Sequence, residues 1–292
     1  MTYRTGVALV LVAGLLWSFM GLAIRQIDVA GTWAIVLWRS VGMVPVLFLW
    51  IVWTSGGHPF RQVRRVGAAG AIGGLGLVLA FAGSIFAFQT TTVANAVFLF
   101  AASPFFAAVL GWLVLREPVR RATWIAIAIA CLGILVMVRE GLAGGAIVGN
   151  LSALASALGF AAFTITLRWG KLDDMMPAVM LGGIFAVILG ALVLARQGEP
   201  IWVPPRDIAV AMTMGAVLLA TGMVLYTLGS RVVPAAELTL LSMVEVMLAP
   251  VWVWLFLNET ATTGTFAGGA ILLGAIAGNA LSGARQRRVA RP

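Results

Sequence analysis

Two side chains in this sequence carry charge where their surroundings make charge expensive. Arg39 stands in the run 32–53 and Glu245 in the run 234–257, stretches that are otherwise almost wholly apolar. Glu245 lies eleven residues into its run, about 16 Å along a helix, and Arg39 seven residues into its own, about 10 Å. A charged residue at the centre of a bilayer costs roughly 3 kcal/mol on insertion scales, and a guanidinium keeps its charge at every accessible pH. Glu245 therefore reads as a substrate or proton site, or as a packing carboxyl that is protonated or hydrogen-bonded. Arg39 has to meet oxygen. The sources are Glu245, whose depth brings it within side-chain reach, helix carbonyls, or a substrate carboxylate.

Bulky side chains recur where they can wall a cavity: Trp17 and Met20 in 6–24, Phe81 in 67–88, Phe98 in 93–115, Phe160 and Phe163 in 146–167, Tyr226 in 208–230. With Arg39 and Glu245 they form a candidate substrate-binding set. For any one of them, core packing or lipid contact is the plainer use of an aromatic in an apolar helix. Pro104 and Pro250 interrupt such runs and Glu117 and Glu259 end them, which makes these four a candidate gating or helix-junction set. Each glutamate either braces a gate or accepts hydrogen bonds where helices meet. Glu237, three residues into its run, can extend to water, and Pro234, Gly222 and Gly229 offer further places to bend.

These groups must be positioned by helices in lipid. Of 292 residues, 62% are apolar and 10% charged, against roughly a quarter charged in soluble domains, too few to coat a water-soluble globule. Runs long enough to span a bilayer occur at 6–24, 32–53, 67–88, 93–115, 122–138, 146–167, 175–195, 208–230, 234–257 and 264–282. They are continuous in hydrophobicity, with no alternation of polarity, so helices and not barrel strands are expected. The first run lacks a strongly basic leader and is read as retained. Numbering the spans one to ten, the N-terminus, the even-to-odd loops and the tail hold fourteen basic residues against four in the odd-to-even loops. Both termini are thus expected in the cytoplasm of a bacterial-type inner membrane, anchored most strongly by Arg285, Arg287, Arg288 and Arg291.

The net charge of +9 does not argue for nucleic acid, because clusters such as Arg61, Arg64, Arg65 and Arg116, Arg120, Arg121 flank the spans. One cysteine, Cys131, and one histidine, His58, leave no set for a metal cage, an internal disulfide or a Ser-His nucleophile. No phosphate-binding loop occurs, and the glycines from Gly70 to Gly76 lie within a span, so no cofactor is expected. The expected partners are a small-molecule substrate and membrane lipids. Gly70-xxx-Gly74, Gly264-xxx-Gly268 and Gly274-xxx-Gly278 permit close helix packing or a dimer, and the oligomeric state stays open.

The chain is also doubled. Trp112-Leu113-Val114-Leu115-Arg116-Glu117 is echoed by Trp254-Leu255-Phe256-Leu257-Asn258-Glu259 at an offset of 142 residues, and Trp17 and Arg25 stand opposite Phe160 and Arg168. Halves at 1–142 and 143–292, each of five spans, must enter the membrane with opposite polarity. The expected fold is an all-α integral membrane domain of ten helices in two inverted five-helix repeats. With Arg39, Ser103-Pro104, Arg116-Glu117, Glu245 and Glu259, this pattern resembles the drug/metabolite transporter superfamily, in particular its EamA-type exporters. The overall likeness is to the aromatic amino-acid exporters. Arg116 and Asn258 stand where that family usually has glycine, and Val246 follows Glu245 where it usually has proline. The resemblance implies a secondary transporter exporting amino acids and related metabolites by alternating access, with spans one to four and six to nine around an apolar cavity and spans five and ten outside. A lipid flippase is the nearest alternative; a scaffold or an intramembrane enzyme fits the doubled halves and the side-chain set less well.

Overall fold

A computed structural model describes residues 1–143, 146–172, 174–233 and 235–289, with side chains except at 140–143, 235, 236, 239, 240, 242 and 284–289. Pro234 and the tail arginines Arg285, Arg287, Arg288 and Arg291 lie outside these described residues and side chains. In lipid a backbone has to satisfy its own N–H and C=O groups, and helices do so within one segment. Span one is α1 (Tyr3–Ser18) and the short α2 (Met20–Ile24); spans two and three are α3 (Thr32–Thr54) and α4 (Pro59–Thr90). Span four is α5 (Val93–Phe100) and α6 (Ser103–Leu115), followed by α7 (Arg121–Ala143), α8 (Ile147–Trp169) and α9 (Met176–Gln197). Span eight runs through α10 (Pro205–Thr213), the π-helix η1 (Met214–Thr221) and α11 (Gly222–Ser230). Spans nine and ten are α12 (Ala235–Leu257) and α13 (Thr263–Val289). Nine of these ten qualify as spans by length and hydropathy among the described residues, and α12 contributes the shorter apolar stretch Met243–Leu257.

An even number of crossings returns the chain to the face from which it started. Cross-links between the loops agree: Arg206 pairs with Asp28 at 2.6 Å, joining the seven-to-eight and one-to-two connections. Asp207 is 2% exposed and accepts the backbone N–H groups of Asp28, Val29 and Ala30. Span three begins with an arginine-bearing turn over 59–66 and then bends at Gly67, whose φ of 50° suits a residue without a Cβ. That bend falls at the sequence-predicted start of the span; the residues before it, expected as a polar connection, are helical.

Packing between spans has the pattern of a twofold that maps each span onto the one five later. α4 packs on α8 as α1 packs on α11 and η1, α6 on α8 as α12 on α1, and α4 on α9 as α3 on α10 and η1. The remaining large contacts, α3 with α9 and α7 with α13, join each span to its own counterpart. Glycines allow the closest of these crossings. A Cβ on Gly215 would overlap the Arg39 carbonyl oxygen and one on Gly42 the Met212 carbonyl, so spans two and eight touch backbone to backbone. By contrast a Cβ on Gly274 or Gly278 meets nothing within 4 Å, so that spacing packs no pair of helices among the described residues.

Candidate functional site

Span two holds Arg39 at 4% exposure, on the buried face that it shares with Ser40, Gly42 and Met43. Its guanidinium carbon lies 4.7 Å from the centroid of the Phe81 ring on span three. Its Nε and Nη2 are enclosed without a hydrogen-bond partner among the described residues. A desolvated cation–π contact contributes about 2 kcal/mol, whereas burying an unpaired ion costs several kcal/mol, so the aromatic face alone does not offset the burial. The sequence brought Glu245 within reach of Arg39 by depth. In the structure the described ion pairs are Arg25–Glu259, Arg168–Glu117 and Arg206–Asp28, and Arg39 and Glu245 are joined in none of them. Depth along two helices fixes one coordinate only; the azimuth of each helix fixes the rest.

Glu245 is partly exposed, and its own backbone borders Gly14 of span one, where a Cβ would stand 3.7 Å from the Glu245 nitrogen. On the same side Trp17 reaches span eight, its Nε1 donating to the Leu219 carbonyl at 3.4 Å, with its ring 5.5 Å from that of Tyr226. The indole fits because residue 222 is glycine; a Cβ there would overlap it. Trp17, Tyr226 and Glu245 thus gather on spans one, eight and nine, while Arg39 and Phe81 sit on spans two and three. The π-helix η1 separates the two groups, with Gly215 against Arg39 and Leu219 against Trp17. Such irregular turns occur frequently at functional sites.

The other candidates divide. Met20 is buried in the core cluster, beside Gly21, which packs against Val93. Phe98 is buried against Gly269 of span ten and Phe163 against Gly73 of span three, so both fill helix crossings. Phe160 is 42% exposed and touches Phe163, ring centroids 5.9 Å apart. Pro104 opens α6 after a break in span four, whereas Pro250 is buried within a continuous α12. A cavity of about 290 Å³ lies beside Glu259 among Ala94, Pro250, Val253, Trp254 and Phe266. A second of similar volume opens between spans two and eight among Val46, Trp50, Thr221 and Val224. Neither is lined by Arg39 or Glu245.

The terminal glutamates occupy the two ends of the bundle. Opposite the face that carries the termini, Arg25 donates from Nε to Glu259 at 2.8 Å and from its other nitrogens to the Phe88 and Thr91 carbonyls, at 2.5 and 2.9 Å. Glu259 also accepts the Val93 N–H at 2.6 Å. One ion pair thus ties spans one and nine to the junction of spans three and four. On the termini's face Arg168 donates from Nη2 to both oxygens of Glu117, at 2.6 and 2.5 Å. The internal repeat relates the two pairs, Arg25 to Arg168 and Glu259 to Glu117. Even the backbone follows: Arg116 and Asn258, one residue before each glutamate, share a φ of 54°. Each glutamate N–H then closes its helix by donating to a carbonyl six residues back, Gly111 or Val253. The pairs differ in enclosure, with side-chain exposures of 25% and 19% for Arg25 and Glu259 against 53% and 42% for Arg168 and Glu117.

Further polar contacts join the spans, among them one made by Glu237, which the sequence marked, and others made by residues it did not, such as Asn150, Tyr3 and Trp252. Asn95 donates to Asn150 between spans four and six, and Tyr3 donates to Glu237 between spans one and nine; Asn95 and Glu237 correspond in the repeat, while Tyr3 and Asn150 do not. Trp252 donates to Ser18 Oγ at 2.8 Å and stacks on Phe19 at 4.9 Å. A lone Asn inside an apolar run was a readable signal for Asn150. Nothing in the local sequence marks Trp252 or Asp207, whose partners are distant in the chain.

The EamA-like transporter family model matches residues 4–139 and again 147–281. No curated protein matches the chain. A crystal structure of a protein 16% identical in sequence superposes with a TM-score of 0.65, over 96% of this chain and 98% of the other, and shares the fold.

Proposed function

Given that the chain belongs to the EamA-like transporter family, and so is a multi-pass membrane transporter of small molecules, we propose that it exports amino acids, neutral and aromatic ones above all, by alternating access. The observation that supports this most is the relation between its two ion pairs. Arg25–Glu259 and Glu117–Arg168 are copies of one motif placed on opposite faces by the inverted repeat. Two similar modules of opposite orientation can exchange shapes, which gives two forms of nearly equal energy, each open to one side. Opening toward the Arg25 side requires that pair to part, and opening toward the termini requires the other. The better-enclosed pair keeps the Arg25 side shut in the form described here, and we place that side outside the cell.

Arg39 with Phe81 offers a cation beside an aromatic face, a setting for an amino acid that presents a ring and a carboxylate. Glu245, with no ion-pair partner among the described residues, is our candidate for the coupling proton. Proteoliposomes holding the purified chain test both readings with a labelled panel of amino acids, with and without an imposed pH gradient. The expected result is saturable uptake of phenylalanine and its neighbours, accelerated by the gradient; in Glu245→Gln the acceleration disappears while exchange persists. Absence of saturable uptake across the panel contradicts the substrate assignment. A gradient response unchanged in Glu245→Gln removes the carboxyl from coupling.

A further inference from the structure

We infer that Arg39, backed by Phe81, is the receptor for an anionic group on the cargo, a carboxylate in chemical class. This rests on the carrier reading above and narrows it.

The two guanidinium nitrogens left enclosed and unpartnered among the described residues are Nε and Nη2. Those two lie on one edge of the group, with their N–H bonds directed the same way, and that edge receives a carboxylate side-on through two parallel hydrogen bonds. Among the described side chains, the opposite demand, that the chain supply its own anion, is not met. Asp28, Glu117 and Glu259 are used in ion pairs, Asp207 by three backbone N–H groups, Glu237 by Tyr3 and Asp174 by the Met176 N–H. Glu199 and Glu245, the remaining acidic residues with described side chains, form no ion pair with Arg39.

The internal repeat supplies an independent argument. Residue 182 stands 143 positions after Arg39, the offset that relates Arg25 to Arg168, and it is glycine. Gly182 contributes no side chain of its own there and packs against Leu77 and the Gly74 carbonyl of span three. An arginine needed to hold this kind of crossing would be needed in both halves. Its presence in one half only marks a task done once per molecule, as recognition of one cargo is. Glu245 has the same asymmetry, with Ser103 standing 142 residues earlier.

Competition against labelled phenylalanine uptake by the unmodified protein in proteoliposomes provides the test. N-acetylphenylalanine keeps the carboxylate and loses the ammonium; phenylalaninamide does the reverse. A site built around a buried fork rejects a compound lacking the oxygen pair, so the amide should compete at least about tenfold more weakly than phenylalanine, and the N-acetyl compound within about threefold of it. Arg39→Lys keeps the charge without the fork and should raise KM about tenfold with a smaller change in kcat. Arg39→Gln should erase the preference for acid over amide, and its thermal unfolding midpoint in detergent separates that outcome from misfolding. Equal competition by amide and acid in the unmodified protein overturns the site while leaving the carrier intact. No saturable phenylalanine uptake contradicts the amino-acid reading, and this site with it.

Discussion

At the level of single residues, the repeat explains two departures from ordinary backbone. Arg116 and Asn258 cap their helices at a φ of 54°, a left-handed conformation that glycine adopts freely and that asparagine tolerates better than arginine. The same substitution should therefore help at both positions by unequal amounts. Arg116→Gly is expected to stabilise the protein by about 1 kcal/mol, and Asn258→Gly by less, measured as shifts in thermal unfolding in one detergent. A loss of stability in Arg116→Gly would mean that the arginine side chain holds the junction. The sequence made both positions conspicuous as places where the resembling family has glycine. It also marked Arg39 and Glu245 as embedded charges, since a charge in an apolar run is visible without coordinates. Their partners were not visible, because ion pairing depends on how each helix is rotated about its own axis.

Helices as units were readable from hydropathy alone, although the helical stretch 59–66 before the bend at Gly67 was not. Less readable was their internal regularity. Span eight gives no sign in its residues Met214 to Thr221 that they wind as a π-helix, because an apolar run carries the same hydrophobic signal at either pitch. Glycine spacing was ambiguous for a related reason: a glycine is legible, but what approaches it is not. The structure separates the cases. Gly215→Ala should drive spans two and eight apart at Arg39 and cost roughly 3 kcal/mol or more, with loss of folded yield. Gly274→Ala, at a position where an added Cβ meets no described residue within 4 Å, should stay within about 0.5 kcal/mol of the unmodified protein. Size-exclusion profiles and unfolding midpoints of the two variants compare them directly. A Gly274→Ala variant that dissociates into smaller particles would place a second copy on that face.

For the whole molecule, the doubling seen in the sequence reappears as paired helix contacts, paired ion pairs and paired backbone caps. What the sequence left open was whether Glu117 and Glu259 brace a gate or accept hydrogen bonds where helices meet; in the structure each holds an arginine of another span, and its own N–H closes its helix. The central claim is that these ends open in turn. Ser18, fully buried about 10 Å below Arg25, reports on one of them. In a Cys131→Ala background, Ser18→Cys is exposed to a membrane-impermeant thiol reagent added on the Arg25–Glu259 side. Labelling should be slow in that background, about tenfold faster when Glu259→Gln is added, and no faster when Glu117→Gln is added instead. Equal acceleration by both substitutions, or none by Glu259→Gln, would contradict alternation between the two faces.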